Sequence, residues 1–234
     1  MIMGCTVLAG YRLISFDKIA STQTHAHNLI ANGAATDCTA IVTRTQGAGR
    51  GRRARTWVSP PGNLYVSFIY KVAAPDGRLA YAVAVAVAET FAAFGITSMI
   101  KWPNDILVDG KKICGILIEY VGDFVVIGIG INIKSSPILA AGYETTRMDL
   151  YMDAAPNVAD VLRILMREMD VWRAASYTDV RDAWTRRAAG IGGVIMYRGA
   201  PVQMIGIDDD GALILNRDGQ NLRVYGDEIS ICEK

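Results

Sequence analysis

Apolar side chains recur at Leu64, Val66, Phe68 and Tyr70, and this period of two predicts a strand over residues 63–70. Upstream, residues 6–16 read as extended, and Ser21-Thr22 offers N-cap hydroxyls for a helix that Gly33 would close. Residues 40–43 form a short apolar strand candidate. Residues 79–94 pose a conflict, because Ala-Val alternation over 82–88 mimics a strand while the length, the alanines and the closing Gly95 favour a helix. We read a helix. Residues 100–102, 105–108 and 112–120 read as strands, the last two joined by a hairpin turn at Asp109-Gly110. The almost wholly apolar run 124–133 predicts a central, buried strand.

After a loop at 135–137, Val158, Val161, Leu162, Leu165, Met169 and Trp172 recur at helical spacing, and another helix is expected over 178–189. Beyond the breaker Gly190-Ile191-Gly192-Gly193, four short strands are expected at 194–197, 202–208, 212–216 and 222–225. The pattern predicts an α+β protein: a mixed or antiparallel sheet flanked by helices over 1–189, then a small all-β domain over 190–234.

Composition narrows the functional classes. Of 234 residues, 51% are hydrophobic and 20% charged, too apolar for disorder. A net charge of +1, from 24 basic and 23 acidic residues, argues neither for a bulk nucleic-acid binder nor for a membrane-surface protein. Residues 190–234 hold four basic and seven acidic side chains, so anionic ligands would favour the longer part. Cys5, Cys38, Cys114 and Cys232 are scattered without a CxxC pair, which fits a reducing cytoplasm. No basic region precedes the apolar residues 1–10, and the longest apolar run, 79–88, falls short of the ~20 residues a membrane span needs. A soluble intracellular protein is expected.

The local chemistry is concentrated in three places. Gly49-Arg50-Gly51-Arg52-Arg53-Ala54-Arg55 packs four arginines into seven residues. Its glycines let the backbone bend over a ligand, and guanidinium groups pair with carboxylate or phosphate. A solvated basic loop or a nucleic-acid patch would look the same. Lys101-Trp102-Pro103-Asn104-Asp105 joins two apolar strands and presents polar side chains at strand ends, although Pro-Asn-Asp is also an ordinary turn former. Gly128-Ile129-Gly130-Ile131-Asn132 would let a flat ligand approach the backbone while Asn132 reads its donors and acceptors; close strand packing explains the glycines equally well. His25 and His27, two apart on a helix with no acidic or thiol cluster beside them, make a poor metal site. No nucleophile elbow, Walker A sequence or dinucleotide fingerprint occurs.

Taken in order, Ser21-Thr22, Gln46 with Gly49 to Trp57, Ser59-Pro60-Pro61-Gly62-Asn63-Leu64, Lys101-Trp102-Pro103-Asn104-Asp105, Lys112 with Gly115-Ile116-Leu117, and Gly128 to Asn132 resemble the biotin protein ligases. The likeness is strong over 14–133 and looser in the β-rich tail, where that family has a small SH3-like β-barrel. It implies a class II synthetase-like catalytic domain. It also implies a two-step reaction, in which biotin and ATP give biotinyl-5′-AMP, and a lysine of a biotin carboxyl carrier protein then takes the biotinyl group. Because both nucleophiles are substrates, the resemblance explains the missing catalytic Ser or Cys. Arginines fit a reaction that rests on positioning and charge stabilisation.

The resemblance assigns roles residue by residue. Ser21, Thr22, Gln23 and Gln46 would surround biotin's ureido ring, and Gly49, Arg50, Gly51 and Arg52 would fold over biotin and the adenylate. Trp57, Gly115 and Ile116 would pack near the ligand, and Lys112 would neutralise carboxylate and phosphate oxygens. Arg52, Arg53, Arg55, Trp57, Lys112 and Asn132 would serve ATP, with Asn132 reading adenine. Asn104 and Asp105 would lie near the ribose, the phosphates and the Mg²⁺ that ATP brings, Asp105 also accepting the attacking lysine's proton. Arg50, Arg52, Asp105 and Lys112 form the implied catalytic set.

Two departures stand out: Ala54 replaces a glycine usual in the family, and Gln23 replaces an asparagine often found after the Ser-Thr pair. A left-handed backbone at Ala54 would cost about 1 kcal/mol or more. The chain opens almost directly on the catalytic portion, so no helix-turn-helix and no operator binding are expected. Competing readings are a lipoate-type ligase, a nucleic-acid-binding protein using the arginine loop, and a catalytically silent homologue. No residue decides whether a sheet edge pairs into a homodimer.

Overall fold

A computed structural model describes residues 2–137, 144–227 and 229–231. The chain divides into two compact units, one of residues 1–75 and 110–167, the other of residues 76–109 and 168–234.

The first unit is built on strands β1 (Ile2–Leu8), β2 (Tyr11–Ile19), β3 (Thr39–Gln46) and β4 (Leu64–Lys71), joined by two later ones named below. The extended segment expected at its start is two strands, because Ala9 and Gly10 both take positive φ and turn β1 back antiparallel onto β2. Helix α1 (Thr22–Ala31) carries the chain from β2 to β3, and this crossover makes those two strands parallel. Ser21 caps α1, its side chain accepting from the Thr24 backbone N–H, and Gly33 at φ +66 follows the helix end as expected.

The later strands of this unit are β7 (Lys111–Val121) and β8 (Phe124–Ile131), which follow β5 and β6 of the second unit in the chain. Within the unit the strand order is β1-β2-β3-β4-β8-β7. Residues 64–70 of β4 are all buried, as a central strand requires. Ile14, Phe16, Ala26, Ile41, Ile69 and Val126 form the core beneath α1.

In the second unit, α2 (Leu79–Ala92) settles the conflict at 79–94 in favour of a helix. All its residues from Tyr81 to Ala88 are buried, so its pattern shows no polar face for a period to reveal. Strands β5 (Met99–Lys101) and β6 (Asp105–Val108) pair antiparallel. Helix α3 (Val158–Ala174) ends in this unit, and α4 (Tyr177–Arg187) packs on α2. Tyr81 and Trp184 meet edge-on at 5.2 Å.

The tail folds as a five-stranded antiparallel sheet, in the order β12-β11-β10-β9-β13. Its strands are β9 (Val194–Tyr197), β10 (Ala200–Ile207), β11 (Leu213–Arg217), β12 (Gln220–Val224) and β13 (Ser230–Ile231). The fifth strand has two residues, too few for a period to show. Cys5, Cys38 and Cys114 are free thiols, and Cys232 lies outside the described residues. Among the described residues, no helix is long and apolar enough to cross a membrane.

Tyr81 ties this unit together: its hydroxyl donates to the Gly211 carbonyl at 2.8 Å and accepts from Trp102 Nε1 at 3.2 Å. Tyr81→Phe leaves that carbonyl and indole N–H unpaired, and is expected to cost about 2 kcal/mol in urea unfolding. An unchanged midpoint would contradict the assignment.

Candidate active site

The first unit gathers its polar side chains at the head of α1. Ser21, Thr22 and Gln23 are buried there, at the end of β2. Gln46 closes the neighbouring strand in register with Ile19. Its Oε1 accepts from the Thr22 backbone N–H at 2.9 Å and from Thr22 Oγ1 at 3.3 Å. Its Nε2 donates to Ser59 Oγ at 2.8 Å, and Ser59 in turn donates to the Trp57 carbonyl. Ser67 Oγ, on β4, lies 2.9 Å from both Thr22 Oγ1 and Gln23 Oε1. The result is a neutral cup of hydroxyl and amide groups that presents donors and acceptors together.

Next to the cup runs a strip of bare backbone. Gly130 on β8 faces Gly115 on β7 in register, and the next row pairs Gly128 with Ser67 and Leu117. The Trp57 indole covers the strip: a Cβ at Gly130 would stand 2.6 Å from the ring, and one at Gly115 2.8 Å from it. The flat group that these glycines admit is thus, in this conformation, a side chain of the protein itself. A Cβ at Gly128 would meet Gln23 Oε1 at 2.6 Å. Trp57 Nε1 is buried without a hydrogen-bond partner, and Lys112 Nζ stands 5.4 Å from the ring centroid. Ile116 is buried.

The arginine loop folds as a small hairpin over Gly49 to Trp57. Trp57 N–H donates to the Gly49 carbonyl at 2.9 Å, and Gly51 N–H to the Arg55 carbonyl at 2.8 Å. The tip is left-handed at Arg53 (φ 51) and Ala54 (φ 58), so the backbone that the family's usual glycine would favour is present although alanine occupies the position. Arg50, Arg53 and Arg55 are exposed, and Arg52 is half-buried.

Asn132, just past β8, is buried; its Nδ2 donates to the Thr146 carbonyl at 3.0 Å, while Oδ1 has no hydrogen-bond partner. The turn that follows is clasped by Asn63, whose Oδ1 accepts from the backbone N–H groups of Ile133, Lys134 and Ser135 at 2.8, 3.0 and 3.1 Å. Burial pushes the Tyr65 phenol up to about 12, so it stays protonated and donates to the Pro60 carbonyl.

Of the residues singled out from sequence, the first unit contains Ser21, Thr22, Gln23, Gln46, the loop from Gly49 to Trp57, Lys112, Gly115, Ile116 and Asn132. Asn104 and Asp105 belong to the second unit, at the turn between β5 and β6, where Asp105 pairs in register with Lys101. His25 packs edge-on against Phe16 at 4.7 Å, and burial lowers its pKa. No three metal-ligating side chains converge among the described residues. Ser67 and Glu119 stand outside every motif read from the sequence, while Ser59 lies within one of them but without an assigned role. The available signal was a polar residue interrupting an apolar strand, as Ser67 does in β4 and Glu119 in β7.

The profile of the Biotin/lipoate A/B protein ligase family matches residues 15–132. The Bifunctional ligase/repressor BirA of Bacillus subtilis (strain 168) is 33% identical over 248 residues, covering 97% of this chain and 76% of that protein. The Biotin--[acetyl-CoA-carboxylase] ligase of Paracoccus denitrificans is 32% identical over 204 residues, covering 75% of this chain and 82% of that protein. A structure of the biotin protein ligase from Aquifex aeolicus in complex with biotin and ATP superposes with a TM-score of 0.82 at 23% identity, covering 93% of this chain and 97% of that one. At that identity the likeness is one of fold.

The strip makes a direct prediction. Gly130→Ala must displace the indole, so the emission that Trp57→Phe removes should shift to the red, with a stability loss of about 1–3 kcal/mol. A spectrum identical to wild type would show that the ring does not lie there. Asn63→Ala, which orphans three backbone N–H groups, is expected to cost about 3 kcal/mol in chemical denaturation.

Proposed function

The chain belongs to the biotin/lipoate A/B protein ligase family, and from that premise we propose that it is an ATP-dependent biotin protein ligase. Biotin's carboxylate attacks the α-phosphate of ATP, forming biotinyl-5′-AMP as pyrophosphate leaves. The ε-amine of a carrier lysine then attacks the acyl carbonyl, forming the amide and releasing AMP. The acceptor we propose is the biotin carboxyl carrier protein or domain of a biotin-dependent carboxylase, met in a reducing cytoplasm. Residues 1–189 would carry the chemistry and 190–234 the small β portion, and β1, at one edge of its sheet, is where we would look for a homodimer contact.

One observation supports this reading most: on one sheet face, a neutral cup of Thr22, Gln46 and Ser67 adjoins a glycine strip beside Lys112 and the arginine loop. A ureido ring needs neutral donors and acceptors, since its N–H groups donate and its carbonyl accepts. A carboxylate and phosphates need cations. A bicyclic ureido acid joined to AMP presents those two demands side by side.

In the first step Lys112, Arg50 and Arg52 would bind the carboxylate and the α-phosphate, lowering their mutual repulsion as they approach. Arg53 and Arg55 would face the remaining phosphates, and Asn132, with a buried acceptor to spare, would read the amino group of adenine. Gln23 would stand beside the ureido head. Mg²⁺ would arrive with ATP; Asp105 would be its carboxylate, with Asn104 beside the ribose. When bound, the ion screens phosphate charge. Asp105 would also accept the proton of the attacking lysine.

Biotin-dependent exchange of pyrophosphate into ATP tests the first step without the acceptor. Exchange with biotin and none with lipoate is expected; exchange with lipoate alone would move the chain to the lipoate branch, and none with either acid would end the ligase reading. Arg52→Ala is expected to speed adenylate release by about tenfold, the equivalent of one charge-assisted hydrogen bond. Asp105→Asn should slow biotin transfer from preformed adenylate, and an unaltered rate would remove Asp105 from that role.

A further inference from the structure

Three segments of the first unit meet at one carboxylate that belongs to none of the motifs. Glu119 is on β7, two positions past Leu117. Its Oε1 accepts from Arg50 Nη2 at 2.7 Å. Its Oε2 accepts from Gln23 Nε2 at 2.9 Å. His27 Nε2 lies 2.9 Å from the same Oε2, at ion-pair distance but without the alignment of a hydrogen bond. Gln23 and His27, four apart on α1, share the helix face that looks at this strand.

Two consequences follow from the geometry. Gln23 Nε2 is held by Glu119 and, at 3.3 Å, by the Val126 carbonyl, so the amide has one orientation, with Oε1 toward Ser67 and above Gly128. Glu119 thereby decides which atom of Gln23 borders the cup. Arg50 is an exposed residue of the loop, and its link to Glu119 fixes the loop's first arm to the sheet. The two side chains are 39% and 25% exposed, so the pair adds little to global stability and its effect is local. The longer side chain of Gln23 has the reach for this bridge, whereas the asparagine often found at this position is a methylene shorter.

We propose that Glu119 is a positioning residue: it latches Arg50, and with it the arginine loop, against the sheet, and it sets the amide of Gln23 at the rim of the ureido cup. The latch is a property of the ligand-free protein. Its effect on biotin rests on the ligase reading.

The test uses the full chain and its Glu119→Gln variant, which keeps size and removes charge. Limited trypsin digestion of the folded, ligand-free proteins, read by mass spectrometry, reports opening at Arg52, Arg53 and Arg55. Cleavage there should rise about fivefold in Glu119→Gln, the scale of one partly exposed ion pair, with cleavage elsewhere and the unfolding midpoint unchanged. Equal cleavage, or a rise spread over the whole chain, overturns the latch. Arg50→Gln should give the same rise, and the double variant no more than either alone; additive effects overturn the coupling. In pyrophosphate exchange, the KM for biotin should rise about fivefold in Glu119→Gln, by more than kcat falls. If wild type exchanges and the variant's KM is unchanged, the role at the cup is wrong while the ligase reading stands. If wild type does not exchange, the ligase reading and the role at the cup fall together, and the digestion still decides the latch.

Discussion

Two facing strand positions without side chains carry much of this architecture. Because Gly115 and Gly130 lie opposite each other in β7 and β8, the sheet offers a strip of backbone on which a planar ring can rest. Trp57 does so, and the loop that bears it is drawn down with it, its carbonyl tied through Ser59 to Gln46 and so to the head of α1. A single methyl on either glycine would collide with the ring. The cup and the arginine loop therefore adjoin one another because two Cβ atoms are missing.

The division of labour along that face is electrostatic. Hydroxyls and amides, whose hydrogen bonds are largely mutual, hold the head of α1; cations stand on the loop and at Lys112, where a ligand's anionic end would be met. Such a surface needs no nucleophile of its own. What it must do is hold reactants in line and take up charge as it develops, and rigid, pre-paired side chains suit that task.

Much of this was legible from local sequence. The Ser21 cap and the helix over Leu79–Ala92 each depend on residues within a few positions of one another, whereas the left-handed backbone at Ala54 is signalled only by the glycine usual in the family. Ser67 and Glu119 were not legible, since their partners arrive from 44 to 96 positions away through strand register and the α1 crossover. The glycines at Gly128 and Gly130 were readable only as an ambiguity between a ligand slot and close packing. The structure answers with both, as a slot that a tryptophan of the chain fills. Residues 6–16 read from sequence as one extended segment because Ala9-Gly10 is a turn too short to break the apolar pattern.

The alanine at the loop tip has a consequence for timing. Glycine at Ala54 would rest more easily in the left-handed region, but it would also wander more widely whenever the hairpin came undone. Alanine explores fewer conformers, but the left-handed one is among those it visits least, so a released tip waits longer before it re-forms. The side chain that makes the closed loop less comfortable also narrows the route back to it.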